Sequence, residues 1–173
     1  DEARAADLNA MYADQSVRAV FAVRGGWGSA RILPFLDFDL IRANPKLLVG
    51  FSDITALHLA FAARAGFPTI HGPNAGSVWG KRSWDWFREL VFERRLPVYR
   101  NPVATEDRLV QRDWRTLTIR PGKAVGRLLG GNLTVLTSIL GSPYVPDFTG
   151  AILFLEDTDE APYRVDRMMT QLK

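Results

Sequence analysis

No cysteine occurs among the 173 residues. Disulfides, thiolate metal sites and a cysteine nucleophile are therefore excluded, and the composition fits a reducing compartment. An excess of one charge is also missing: 22 basic residues stand against 19 acidic ones, a net of +3. That balance gives no argument for a nucleic-acid partner. The basic residues gather loosely between Arg82 and Arg108, where a solvated face accounts for them more simply than a phosphate track. No apolar run approaches the roughly 20 residues of a membrane-spanning helix, and no signal peptide is visible. The chain has neither the G-x-G-x-x-G of dinucleotide binding nor the Lys-Ser/Thr of a P-loop. A nucleotide-dependent oxidoreductase loses its main support with them. Internal repeats and low-complexity segments are absent too.

What is present is an ordinary globular composition, 47% hydrophobic and 24% charged. The length suits one domain or parts of two. The opening "DEARAADLNAMYAD" reads as the middle of a helix, so a piece of a longer protein is expected. Ala3–Ala13 has helical spacing, with Leu8 and Met11 apolar. Val17–Val23 reads as a strand, followed by the turn "RGGWGSAR" and a short helix toward Leu36. "DFDLIRANP" reads as a helix closed by Pro45. A strand at Leu47–Phe51, a helix at Asp53–Ala65 capped by Gly66, and a strand at Pro68–His71 follow. This alternation predicts an α/β fold, an open and mostly parallel sheet with flanking helices. Trp84–Phe92 reads as a further helix. Near Leu96 the texture changes to scattered prolines and short alternating runs. The expected division is an N-terminal α/β domain over 1–95, a linker or crossing segment over 96–122, and the start of a smaller β-containing C-terminal domain over 123–173. In that last part "NLTVLTSILG" reads as a helix, "AILFLED" as a buried strand and "YRVDRMMTQLK" as a helix.

The chemistry gathers at strand ends. Val23 leads into Arg24, Gly25 and Gly26; Phe51 leads into Ser52; Ile70 leads into His71. Sites in open parallel sheets form beyond the carboxyl ends of strands. If these strands are parallel neighbours, the three tips share one edge. Ser52 has two readings. Ser and Asp cap helices, because their oxygens accept from the free amides of the first turn. Gly-x-Ser between strand and helix is instead the signature of a strained elbow that exposes a nucleophile. The hydrolase elbow favours a small residue two places after the serine, where this chain has Ile54. "RGGWG" is either a tight turn using glycines for positive φ or a source of an amide that, with that of Asp53, forms an oxyanion hole. His58 lies about 9 Å along the helix axis from Ser52 and is expected to be structural. His71 is better placed, although strand-end histidines are more often structural. "LFLEDTDE" offers Glu156, Asp157, Asp159 and Glu160, as an acidic turn or an oxygen-ligand metal cluster without EF-hand spacing. Glu156 differs, since it ends a buried strand and could sit partly desolvated beside a histidine. Asn132 follows two glycines at a helix start, as an N-cap or a ligand-binding amide.

Together, "RGGWGSARILPFLD", "LLVGFSDITALHLA", "PTIHGPN", "GRLLGGNLTVL" and "ILFLEDTDEAPYRVDRMMTQL", in this order, resemble the serine LD-carboxypeptidases. That muropeptide LD-carboxypeptidase family also contains the microcin-immunity peptidases. The resemblance covers nearly the whole chain and is weakest across Lys81–Lys123. Family members commonly have Tyr where Trp27 stands. The resemblance implies a Ser–Glu–His triad with no metal and no cofactor. It puts the serine of the G-[YF]-S-D motif on Ser52 and the glutamate of the L-F-L-E-D motif on Glu156. The Gly25–Gly26 turn and the Asp53 amide would supply the oxyanion hole. The histidine is expected beyond Lys173, and the family's first strand ahead of Asp1. Asn132, His71 and Trp27 are candidates for substrate contact. The implied reaction is hydrolysis of an L–D peptide bond, releasing terminal D-Ala from a cytoplasmic murein tetrapeptide during peptidoglycan recycling. A microcin-type aminoacyl-nucleotide conjugate is the family's other substrate class. A homodimer is implied, with no membrane or nucleic-acid partner. An alternative of a different class is a non-catalytic α/β domain that uses the Gly-rich turn for a small anionic ligand.

Overall fold

The computed structural model describes residues 1–100 and 117–173. Parts of the expected crossing segment at 96–122 and of the basic stretch at 82–108 therefore lie outside the described residues. The chain forms two compact units. Asp1–Val78 and Val125–Lys173 build one, and Trp79–Ala124 the other.

In the first unit, α1 (Glu2–Ala13) buries Ala5, Leu8 and Tyr12. That spacing of three and four puts one stripe on the core. Met11 faces outward, and Tyr12 takes the place the sequence offered it. Three parallel strands follow in the order β1 (Ala19–Phe21), β2 (Leu47–Gly50), β3 (Ile70–His71). Ala19 pairs with Leu47, Val49 with Ile70 and Gly50 with His71. All three tips thus open on the same edge, as expected of parallel neighbours. Beyond its ladder, β1 continues into a loop pairing. The amides of Ala75 and Gly76 donate to the carbonyls of Ala22 and Val23 at 2.8 and 2.9 Å.

Between β1 and β2 run α2 (Ser29–Ile32), a 3-10 turn (Leu33–Phe35) and α3 (Phe38–Ala43). The Asp37 carboxylate caps α3, accepting from the Leu40 amide at 2.9 Å. Between β2 and β3 come a 3-10 turn (Ser52–Ile54), α4 (Thr55–Ala60) and a π-helical turn (Phe61–Ala65). Every residue of α4 is buried, which explains its lack of an amphipathic pattern. Phe61 anchors this layer, edge-on to Tyr12, Phe67 and Phe38.

The sequence reading assigns no element to 128–132, where paired glycines would weaken a strand. One forms nevertheless: β4 (Leu128–Asn132) pairs in parallel with β5 (Ile152–Glu156). Its glycines are required by closeness. A Cβ on Gly131 would lie 2.4 Å from the hydroxyl oxygen of Thr55, at the start of α4. That hydroxyl accepts from the Asn132 amide at 2.9 Å. This contact ties the end of β4 to the helix that follows β2. Next come α6 (Leu133–Ser138), capped by Asn132 onto the Val135 amide, and α7 (Pro162–Leu172). The N-cap reading of Asn132 is thus met.

The second unit holds α5 (Lys81–Val91), with Trp79, Trp84, Phe87 and Phe92 in mutual ring contact. Arg88 and Arg95 both pair with Glu93, and Arg82 lies over the Trp86 ring at 5.8 Å. Among the described residues no helix is long and apolar enough to cross a membrane.

His58 fixes the tip of β2. Its Nε2 lies 2.9 Å from the Gly50 carbonyl and its Nδ1 2.8 Å from the Thr69 hydroxyl. A carbonyl only accepts, so Nε2 carries the proton and Nδ1 accepts from Thr69. Burial drives the His58 pKa down to about 4; the Gly50 bond opposes the shift, and nearby His71 adds to it. The unfolded ring titrates near 6.5. Below that pH the unfolded chain takes up the proton first, so the stability held above pH 6.5 is lost as pH falls toward 4. The loss through this group should be on the order of 3 kcal/mol. Urea unfolding between pH 7.5 and 4.5 should give a steeper decline in the parent than in His58→Gln. Equal slopes would show that the ring is not the titrating group.

Candidate active site

The strand-to-helix junction answers the question posed by Ser52. Its φ is 65°, in the left-handed region, which costs a residue with a Cβ roughly 1–2 kcal/mol. No side-chain cap bond is made at the start of the 3-10 turn or of α4. The serine therefore does not cap the helix. It stands at a strained turn, with its hydroxyl held off the backbone amides that a cap would satisfy. Strain of this kind concentrates at functional sites. The small residue that the turn needs is Gly50, not position 54. A Cβ on Gly50 would lie 3.0 Å from Ile54 Cγ1 and 2.9 Å from Asn74 Oδ1.

The Gly-rich turn lies directly against the serine. A Cβ on Gly25 would come within 2.9 Å of Ser52 Cβ and 3.1 Å of its Oγ. Any larger residue there would strike the hydroxyl. Two polar groups hold this arrangement. The buried Asp53 carboxylate accepts from the Ser29 amide at 2.9 Å and the Ser29 hydroxyl at 2.8 Å, joining the elbow to the first residue of α2. Asn74 Oδ1 accepts from the Phe51 amide at 3.2 Å. The sequence alone points to neither side chain: it suggests the Asp53 amide, and Asn74 only ends the motif "PTIHGPN". A serine directly after a Gly-rich turn, paired with an aspartate after the elbow, is the signal that was available.

A cavity of about 500 Å³ opens over the serine, lined by Arg24, Gly25, Gly26, Ser52, Asn74 and Ser77 among others. It gathers the tips of β1 and β2 and the loop after β3. Glu156, His71, Asn132 and Trp27 are not among its described lining residues. Trp27 is 80% exposed.

Glu156 and His71 form a second cluster. His71 Nε2 is 3.8 Å from Glu156 Oε1, near but beyond hydrogen-bond length. His71 Nδ1 and Glu156 Oε1 are both buried without a partner among the described residues. The imidazole packs among the rings of Phe154, His58 and Phe51. Burial lowers the His71 pKa. Burial also raises that of Glu156, helped by the charge of Asp157 and opposed by a hydrogen bond from Asn132. Asn132 is the register partner of Glu156 across β4 and β5. The neighbouring Asp157 has a different task. It accepts from the Thr134 amide and hydroxyl and from Asn132 Nδ2, which fastens the start of α6.

Comparison with known proteins agrees with this anatomy. Residues 1–72 match the LD-carboxypeptidase N-terminal domain and residues 125–173 the LD-carboxypeptidase C-terminal domain. A Bacillus subtilis protein named "Probable murein peptide carboxypeptidase" is 42% identical, over 100% of this chain and 52% of its own length. The microcin C7 self-immunity protein MccF of Escherichia coli is 30% identical, over 98% of this chain and 56% of its own. The crystal structure of an MccF-like protein from Bacillus anthracis superposes with a TM-score of 0.83 at 30% identity, covering 98% of this chain and 57% of that one. The chain thus spans about half the length of the curated relatives it matches.

If the elbow is strained, glycine at position 52 should relieve it. Ser52→Gly should be at least as stable as the parent, with a gain of up to about 1 kcal/mol, and Ser52→Val should be less stable. Urea unfolding reads both. A glycine variant weakened by more than about 1 kcal/mol would mean that the turn stores no strain.

Proposed function

This chain belongs to the LD-carboxypeptidase family, and on that premise we propose that it carries the nucleophile and the orienting carboxylate of a serine peptidase. The observation that supports this most is Ser52 itself, held at φ 65° at the tip of β2 with Gly25 against its hydroxyl. In this reading Ser52 Oγ attacks the scissile carbonyl and passes its proton to a histidine. The amide of Asp53 and one from the Gly25–Gly26 turn receive the developing oxyanion. The histidine then protonates the leaving amine, and water repeats the sequence to free the enzyme. Glu156 holds the imidazole in the correct tautomer, as an aspartate does in other triads. The histidine comes from outside residues 1–173.

The substrate proposed is an L–D peptide bond, with D-Ala released from a murein tetrapeptide in the cytoplasm during peptidoglycan recycling. A dimeric protein without metal or cofactor belongs to the same reading. The MccF relatives favour a second substrate class, an aminoacyl-nucleotide conjugate of the microcin type. A second base is favoured by one contact, the 3.8 Å approach of His71 to Glu156. Against it, His71 is not among the described residues lining the cavity over Ser52.

The test uses the full-length protein and tetrapeptides carrying L-Lys or diaminopimelate at the third position. Free D-Ala is measured by mass spectrometry. Ser52→Ala should cut turnover by several orders of magnitude. A variant keeping a tenth of the activity, a change of only about 1.4 kcal/mol, would remove Ser52 as nucleophile. Glu156→Gln should cost about 10²- to 10⁴-fold, through the wrong imidazole tautomer. His71→Ala should keep Ser52-dependent release, and its complete loss would install His71 as the base. EDTA should leave turnover unchanged.

A further inference from the structure

Among the described residues, one charged side chain lines the cavity over Ser52, and the reaction proposed above gives it no task. Arg24 follows the tip of β1 and lines the cavity with its guanidinium folded over Gly26. Its Nη2 and Nε lie 3.8 and 4.0 Å from where a Cβ on Gly26 would stand. No acidic residue is among those described as lining this cavity. Among the described residues Arg24 makes no ion pair or hydrogen bond, although Arg4, Arg31, Arg42, Arg88 and Arg95 each have a carboxylate partner. An unpaired guanidinium lining the same cavity as a hydroxyl nucleophile is a receptor for an anion near the scissile bond. Arginine suits a carboxylate because its planar donors can grip both oxygens. A residue at the C-terminus of a peptide presents such a carboxylate one carbon away from the nitrogen that leaves.

We infer that Arg24 is the carboxylate anchor of the site: it binds the free C-terminal carboxylate of the leaving residue and so restricts cleavage to the last peptide bond. This rests on the reading of Ser52 as the nucleophile of a carboxypeptidase. Arg24 immediately precedes Gly25, which stands against Ser52, so anchor and nucleophile come from adjoining parts of one site. The anchor also acts on binding, because the carboxylate is present in the substrate before any bond changes. Its loss should therefore appear in KM more than in kcat.

The experiment compares a tetrapeptide ending in D-Ala with the same peptide ending in D-alaninamide, in the full-length protein. L-Lys at the third position removes the side-chain carboxylate of diaminopimelate as a rival anion. The parent should favour the free acid by about 10- to 100-fold in kcat/KM, the range of a charge-assisted contact. Arg24→Ala should lose about that factor on the acid, chiefly through KM, and cleave the two peptides alike. Arg24→Lys should recover part of the preference. Labelling of Ser52 by a fluorophosphonate probe reports whether the elbow survives each substitution. A parent that cleaves acid and amide equally, or an Arg24→Ala that slows both by one factor, overturns the anchor and leaves Ser52 in place. Loss of labelling in Arg24→Ala makes the residue a support of the elbow and also overturns the anchor. A parent that releases D-Ala from neither peptide and leaves Ser52 unlabelled overturns the carboxypeptidase reading with it.

Discussion

Asp53 turns its carboxylate away from solvent and accepts two hydrogen bonds from Ser29, one from the amide and one from the hydroxyl. The rest of the site hangs on that pairing. It joins the residue after the elbow to the residue that starts α2, and the Gly-rich turn between β1 and α2 has to follow. Gly25 is thereby pressed against Ser52. A buried acceptor that loses its donors costs on the order of 1–3 kcal/mol, and more when charged. The turn therefore cannot drift from the serine without leaving a polar group stranded in the interior. The positive φ of Ser52 is sustained in the same way, because local strain persists only where surrounding contacts over-determine it. His58 adds a third restraint from below by holding the Gly50 carbonyl.

Much of this could be read in the sequence, and the exceptions have physical reasons. Apolar runs placed β2 and the buried helix after it, since a segment buried on all sides has to be apolar on all sides. The three tips on one edge followed from the strand–helix alternation. The sign of a backbone torsion has no such trace at a serine, so only the φ of 65° separates the elbow from the cap. "LLGG" is illegible as a strand because its glycines answer to distant parts of the chain, Gly130 to the Phe154 backbone and Gly131 to Thr55. β1 (Ala19–Phe21) is shorter than the strand expected at Val17–Val23. Val23 does extend the strand direction, but its carbonyl is taken by Gly76 of a loop and not by a neighbouring strand. The approach of His71 to Glu156 joins β3 to β5, and only the register of two separate sheets places it.

The two sheets share a common arrangement. β1, β2 and β3 are parallel, and so are β4 and β5. Each brings its chemistry to a carboxyl end, with Ser52 just after β2 and Glu156 at the end of β5. The link between them is short: Thr55 begins the helix after the elbow and takes the Asn132 amide, and Asn132 faces Glu156 across the ladder. The distance between Ser52 and Glu156 is thus held by strand register and by one short side chain, the hydroxyl of Thr55. That suits chemistry in which a misplacement of about 1 Å is expensive.

One consequence concerns the order of the chain. The unit that carries Ser52 and Glu156 is assembled from Asp1–Val78 and Val125–Lys173, with Trp79–Ala124 as a separate unit between them. Closing so long an excursion delays folding, because the β4 contact to Thr55 is rewarded only after the ends have met. The thermodynamic cost of lengthening the excursion is small, about 0.6 kcal/mol for each doubling of a flexible loop. Insertions and wholesale replacement in the middle segment are therefore cheap as long as both ends return to the same places. In that sense the frame that holds Ser52 and Glu156 is separable from the segment inserted into it.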